Sequence, residues 1–313
     1  MKLTVVDLFC GCGGMSQGLK QAGLEILAGV DVWDKAIENY RKNHTHPAFC
    51  EDLTKFPPEK LAEKIGPRVD VIVGGPPCQG FSLAGRRDTK DPRNSLFMEY
   101  VKYLNYFNPK MFIMENVIGI LSMKTASGER VIDIITSYFD PKYNWVVTKL
   151  YASDFGVPQN RRRVIIFGVR KDLGIVPTEP LPIGPRPPVG PVLISREQVP
   201  AAAFLSERAI QGIKNKKERS KKDGNGFGAQ VLDLAKPSYT IPARYWKDGY
   251  DALVQYSDGA LRRLTILELK RIQSFPDNYI LEGSKKDVIM QIGNAVACKF
   301  AENLGRHVTN ILQ

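Results

Sequence analysis

Short apolar runs alternate with helix-patterned segments through the first 170 residues. Residues 3–9 read as a strand, followed by a glycine turn (Gly11, Gly13, Gly14) and a helix through Leu19. Residues 26–32 read as a second strand and 33–42 as a helix. Residues 69–73 form another apolar run, which stops at Gly74-Gly75-Pro76-Pro77. Residues 95–107 carry Leu96, Tyr100, Tyr103, Leu104 and Phe107 at helical spacing. Residues 111–114, 146–150 and 164–169 read as later strands. A β-α-β-α rhythm joins strands in parallel and covers both sheet faces with helices. The expected fold is α/β, with a doubly wound, mixed but mostly parallel sheet. Ligands of such sheets bind beyond the carboxyl ends of the strands.

The rhythm stops near Lys171. Eight of the 21 prolines fall between Pro177 and Pro200, which excludes regular helix or a central strand there. Residues 214–222 hold six basic residues against one acidic, and the glycine-rich 223–228 follow. That run suits a DNA-facing loop or, equally, a solvated helix end. Thr265-Ile266-Leu267-Glu268 is a capping box opening a helix that stops before Pro276. Residues 294–312 place Val296, Phe300, Leu304, Val308 and Leu312 on one helical stripe, which needs an apolar surface such as the early sheet to cover. The chain is therefore expected to leave its first domain (1–172), build a second, smaller one (173–283) and return (284–313). No internal repeat is visible.

With 44 Lys+Arg against 33 Asp+Glu the net charge is +11, which favours a polyanionic partner or serves solubility. At 43% hydrophobic and 25% charged, disorder and coiled coil are excluded as the main architecture. No stretch approaches the ~18 apolar residues of a membrane span. Lys2 and Asp7 put charge too early for a secretory segment. Five widely spaced cysteines, with no C-x-x-C pair, imply reduced thiols and no metal site. A protein made and used inside a cell is expected.

Three constellations carry chemistry. Asp7-Leu8-Phe9-Cys10-Gly11-Cys12-Gly13-Gly14 runs a strand into a glycine turn and a helix start, a cradle for a nucleotide-like cofactor. It lacks the G-x-G-x-x-G spacing and a Walker Lys. Asp31, at the tip of the second strand, suits ribose hydroxyls or a helix cap. Asp52, after the next apolar run, suits an adenine amino group. In Pro76-Pro77-Cys78-Gln79 a buried strand ends in a rigid double proline that presents one cysteine on a loop, where a nucleophile belongs. The loop runs on through Ser82, Arg86, Arg87 and Arg93, polar and basic as a lid over DNA would be. Glu115, in Met114-Glu115-Asn116-Val117, ends the next strand at the same edge, and Gln159-Asn160-Arg161-Arg162-Arg163 adds fixed cations.

These residues resemble the cytosine-5 DNA methyltransferases, over roughly residues 1–170 and 261–313. The F-x-G-x-G-G turn, P-C-Q, E-N-V, Q-x-R-x-R, the segment from Arg263 to Tyr279 and Gln291-Ile292-Gly293-Asn294-Ala295-Val296 stand in the family's motif order. Cys12 in the turn and Asp31 in place of a more frequent Glu are minor departures. The resemblance implies a class I S-adenosylmethionine-dependent methyltransferase fold with a smaller target-recognition domain. It implies methyl transfer from S-adenosylmethionine to carbon 5 of a flipped cytosine in a short duplex sequence, leaving S-adenosylhomocysteine, with no metal.

Carried over residue by residue, Cys78 would add to cytosine carbon 6, and Glu115 would hydrogen-bond or protonate N3. Arg163 would contact the base carbonyl, and Arg161 would position the thiolate and the phosphate. The cofactor would meet Phe9, Gly11, Gly14, Asp31, Val32, Asp52, Leu53, Pro76, Leu96, Asn294 and Ala295. Thr240 and Arg244 match the family's recognition region and, with Ser82, Arg86 and Arg87, would contact DNA. The setting implied is the cytoplasm of a prokaryote or a virus-infected cell. The enzyme would act as a monomer, with no membrane partner. A cognate restriction endonuclease would belong to the same system without direct contact.

The tRNA-modifying branch of the family is disfavoured, because no cysteine here precedes Phe-Thr and residues 171–290 contain none. Exocyclic amino methylation is disfavoured because Pro76-Pro77 is followed by Cys78-Gln79 rather than Tyr or Phe. A catalytically dead DNA-binding module would tolerate losing Cys78, Glu115 or the arginines, and all are present.

Overall fold

The structure, a computed structural model, describes residues 2–77, 92–222 and 229–313 and the side chains within them other than those of 92–95, 214 and 216–222. In chain order come β1 (Thr4–Leu8), α1 (Gly14–Gln21), β2 (Glu25–Asp31), α2 (Asp34–Asn43), β3 (Ala48–Cys50), α3 (Pro58–Ile65) and β4 (Val71–Gly74). Then follow α4 (Pro92–Phe107), β5 (Met111–Val117), α5 (Val131–Ser137), β6 (Tyr143–Tyr151) and β7 (Arg162–Arg170). They make one seven-stranded sheet in the order β3-β2-β1-β4-β5-β7-β6. The first five pair in parallel, and β7 runs antiparallel to β5 and β6. The expected doubly wound, mostly parallel sheet is present. Strands β3 and helices α3 and α5, too short for a clear sequence signal, are additions to it.

β4 is buried throughout, which is why it reads as an unbroken apolar run rather than an alternating one. Phe97, Tyr100, Tyr103 and Leu104 of α4 pack with Val6, Leu8, Ile72 and Phe112 of the sheet in one core. Strand order reverses between β1 and β4, so the connections after these two strands leave in opposite directions and open a crevice at their carboxyl ends.

The chain divides into two compact units. One comprises Met1–Tyr151, Arg162–Pro182 and Cys298–Gln313, the other Ala152–Arg161 and Ile183–Ala297. This differs from the expected division at 172 and 284. The helix expected over 294–312 starts later, as α9 (Cys298–Leu312), and a separate helix α8 (Lys285–Asn294) precedes it, the two parted by an extended Ala295. Val288, Ile289 and Ile292 of α8 pack with Val189, Leu232, Ile241 and Leu269, so α8 groups with the second unit.

Only α9 joins the first unit, and its close partner there is α1. A Cβ on Gly18 would lie 2.2 Å from the Cys298 carbonyl and 2.5 Å from Ala301 Cβ. One on Gly305 would lie 2.7 Å from Ala22 Cβ. Glycine on each helix lets the two backbones approach.

The second unit also holds α6 (Glu207–Lys222), β8 (Leu253–Gln255), β9 (Leu261–Arg263) and α7 (Ile266–Ile272). The expected capping box is formed: the Thr265 side chain accepts from Glu268 N, and Glu268 accepts from Thr265 N at 2.8 Å. Glu268 does more. It takes both Arg262 terminal nitrogens at 2.8 and 2.7 Å, and Ile194 N at 3.1 Å. The pair is 1% and 0% exposed. One carboxylate thereby joins β9, the start of α7 and the loop at 194.

Gly18→Ala is expected to lower stability by about 2–3 kcal/mol, the usual scale of overpacking, read as a shift in urea midpoint. Glu268→Ala leaves a buried guanidinium unpaired and is expected to remove about 3–5 kcal/mol by the same measurement.

Candidate active site

The carboxyl ends of β1, β2, β4 and β5 share one edge, and antiparallel β7 begins there. The first element at that edge is the turn after β1. Phe9, Gly11 and Gly13 have φ of 60°, 53° and 93°, all in the left-handed region. Glycine adopts it readily; Phe9 does so under strain, which the surrounding bonds must hold. Cys10 N donates to Val30 O at 3.1 Å, and Gly13 N to Cys10 O at 2.9 Å.

Asp31 completes the lock. Its Oδ2 accepts Gly11 N and its Oδ1 accepts Trp33 N, each at 2.8 Å. Burial raises the Asp31 carboxyl above its ordinary value, while these N–H donors pull it back. The Val32 N–H draws on the same carboxylate, and among its lone pairs capacity remains for a ligand hydroxyl.

Val32 beside it is 68% exposed, an apolar side chain awaiting cover. Leu53 is buried in the core beneath. Asp52 Oδ1 accepts Thr54 N at 3.0 Å and Thr54 Oγ1 at 2.8 Å, which closes the turn after β3.

The second element is the end of β4. Asn116 Nδ2 donates to Pro76 O at 2.9 Å and so anchors the chain two residues before Cys78. Gly75 makes room: a Cβ there would meet Glu115 Oε2 at 3.0 Å. Glu115 Oε1 lies 2.5 Å from Arg163 Nε, with the two side chains 15% and 13% exposed. This Nε makes no aligned hydrogen bond, so the contact is ionic. Arg163 Nη1 donates to Arg162 O at 2.8 Å. Glu115, Asn116, Gly75, Pro76 and Arg163 are thus one cluster within the first unit. Leu96, in α4, is partly buried.

Cys78, Ser82, Arg86 and Arg87 lie outside the described residues. The described cysteines narrow the choice of nucleophile all the same. Cys10, Cys12 and Cys298 are buried. Burial pushes the Cys12 thiol up to about 12 and the Cys10 and Cys298 thiols well up. Such thiols stay protonated and inert.

Arg161 departs from expectation. It is buried in the second unit, where Nη2 donates to Gly293 O at 2.8 Å and Nη1 to Ile241 O at 3.3 Å. Those nitrogens hold the chain around Gly293, where a Cβ would meet Ala243 N at 2.5 Å. Its visible task is support of that backbone. Asn294 ends α8 and Ala295 caps it, both in the second unit. Thr240 Oγ1 donates to Asn160 O at 3.1 Å. Arg244 is exposed and paired with Asp251 at 2.8 Å. Lys286 and Lys247 lie 5.0 and 5.9 Å from the Trp246 ring, a basic and aromatic patch that no motif announced. Among the described residues no cluster of metal-ligating side chains occurs, and no helix is long and apolar enough to cross a membrane.

Solved structures share this architecture. Dnmt2 of S. pombe superposes with a TM-score of 0.77 at 20% identity, over 100% of both chains. A DNMT2 variant of Spodoptera frugiperda gives 0.78 at 21%, over 98% of this chain and 100% of that one. The C-5 cytosine-specific DNA methylase family model matches residues 3–310. The Type II methyltransferase M.DdeI of Desulfomicrobium norvegicum is 32% identical over 98% of this chain and 88% of its own. M.HindV of Haemophilus influenzae is 33% identical over 97% and 96%. The chain belongs to the C-5 cytosine-specific DNA methylase family. It is a DNA cytosine-5-methyltransferase that uses S-adenosylmethionine.

Asn116→Ala is expected to lower kcat about ten- to hundredfold, because the chain at Pro76, two residues before Cys78, loses its anchor. Binding of S-adenosylhomocysteine, measured by calorimetry, is expected to stay within about twofold.

Proposed function

We propose that this enzyme methylates carbon 5 of a cytosine flipped out of a short duplex sequence, through a covalent bond between Cys78 and carbon 6. The observation that carries the reading is the Glu115–Arg163 pair beside the Asn116-anchored loop: an acid, a cation and the chain leading to the nucleophile at one edge. Cytosine carbon 5 is a poor nucleophile. The Cys78 thiolate adds to carbon 6 while Glu115 supplies a hydrogen bond or proton at N3, which makes carbon 5 enamine-like. Arg163, already in contact with Glu115, orients that carboxyl and meets the base carbonyl. After methyl transfer, loss of the carbon-5 proton expels the thiolate and restores the ring. Flipping the base costs roughly a few kcal/mol of unstacking and unpairing.

S-adenosylmethionine supplies an electrophilic methyl. The turn fits it. Asp31 has lone pairs for ribose hydroxyls, and exposed Val32 offers an apolar face for adenine. Asp52 takes the adenine amino group, and Phe9, Gly11, Gly14, Leu53, Pro76, Leu96, Asn294 and Ala295 complete the contacts. Thr240 and Arg244 in the second unit, with Ser82, Arg86 and Arg87, meet DNA. The protein works as a monomer in the cytoplasm, beside a restriction endonuclease of the same system.

Methylation sequencing of an unmethylated duplex is expected to show 5-methylcytosine at one short motif. Cys78→Ser is expected to abolish transfer while DNA binding persists, and Glu115→Gln to lower kcat at least about a hundredfold. Product formed by Cys78→Ser would sink the covalent step.

A further inference from the structure

Behind the glycine turn lies a chain of buried polar side chains that the reaction does not use. Ser16, in the first turns of α1, donates to Asp7 Oδ2 at 2.6 Å. The Tyr40 hydroxyl of α2 donates to Ser16 Oγ at 2.7 Å. His46 Nε2 lies 2.7 Å from the same hydroxyl. Tyr40 has one proton and gives it to Ser16, so neutral His46 is the donor to Tyr40, as the Nε2–H tautomer. Burial and Lys20 hold His46 down at about 4, which keeps it neutral at working pH. The chain therefore runs in one direction, from His46 through Tyr40 and Ser16 to the Asp7 carboxylate.

A second arm touches the turn itself. His44 packs on the Tyr40 ring at 4.4 Å between centroids and hydrogen-bonds to the backbone of Gly13. The backbone is shaped to admit this group. A Cβ on Gly29 of β2 would meet Tyr40 Cζ at 2.6 Å and Cys10 Sγ at 3.0 Å. Glycine inside a strand weakens it unless something must approach closely, and here that is the phenol.

We propose that Tyr40, with His46 behind it and His44 beside it, is a positioning unit for the cofactor turn. It sets how tightly S-adenosylmethionine binds and leaves methyl transfer itself unchanged. The chain grips the turn from both sides, through Ser16 on α1 and through the backbone of Gly13.

The chain also gives the turn a pH response. Burial pushes the Asp7 carboxyl up to about 7, against the Ser16 hydroxyl that stabilises its charge. The other titratable groups that face Asp7 are Cys10 in the turn, Asp31 on β2, Tyr40 on α2 and Tyr100 on α4. When Asp7 takes a proton it draws on Ser16 less strongly, and the hold on α1 weakens. Cofactor affinity therefore falls as pH drops through the Asp7 transition. Without the Tyr40 hydroxyl the carboxylate is less stabilised, so that transition moves to higher pH.

The test is calorimetric titration of the full chain with S-adenosylhomocysteine between pH 6 and 9, for wild type, Tyr40→Phe, Ser16→Ala and His46→Gln. Tyr40→Phe is expected to bind about tenfold more weakly at pH 8, with its midpoint at higher pH and kcat at saturating S-adenosylmethionine within about twofold. His46→Gln keeps a donor to Tyr40 and is expected to match wild type. Should Tyr40→Phe not fold, Ser16→Ala reads the same link from the other side. Affinity equal to wild type overturns the proposal, and so does a loss with an unmoved midpoint, which would mark Tyr40 as packing. The proposal rests on the turn being the cofactor site. A wild type that does not bind S-adenosylhomocysteine overturns that reading too, whereas wild-type binding with an indifferent Tyr40→Phe overturns this one alone.

Discussion

The parallel register of β1, β4 and β5 determines where everything at the candidate site lies. Leu8 pairs with Gly74, and Gly74 with Met114, so the turn after Leu8, the Gly75-Pro76 step and Glu115 emerge side by side. A slip of one residue between β4 and β5 would turn Glu115 to the opposite face. The buried apolar run of β4 opposes such a slip, because its neighbours on both faces are packed. The chemistry thus inherits its alignment from hydrophobic burial that takes no part in it.

Much of this was legible in the residues. The mostly parallel α/β character of the first unit follows from alternation, and the edge from the rule that ligands meet parallel sheets at their carboxyl ends. Glu115 and the Gly75-Pro76 step could be placed because each directly follows an apolar run. The break between α8 and α9 could not. Its apolar stripe continues at helical spacing across Ala295-Val296-Ala297, with no proline or glycine within those three positions to stop it. The freed carbonyls of Ile292 and Ala295 are instead met by Gln273 at 2.7 and 3.2 Å, a partner some twenty residues distant that no local pattern reveals.

Arg161 and Arg163 show the same limit at the level of single residues. They stand two positions apart in one motif, and type and spacing suggest a shared electrostatic task. One ends on a carboxylate in the first unit, the other on two carbonyls in the second. Residues two apart on a strand share a face, but β7 begins at Arg162, so Arg161 lies outside the strand and takes different surroundings. Asn116 is the converse case. Its role shows only in the fold, where its amide holds the backbone at Pro76, two residues before Cys78.

The pairing of α1 with α9 has a consequence for how the protein is made. The two helices are about 280 residues apart in the chain, yet their glycine faces meet in backbone contact. At about 5–20 residues per second, a ribosome needs roughly 15–60 s to bring α9 out after α1. Throughout that interval the glycine face of α1 is bare, and the strand ahead of it carries a buried acid and a strained turn. The nascent first unit is therefore a natural client for a holding chaperone. Its capacity to grip a cofactor should arise late, as the last helix docks.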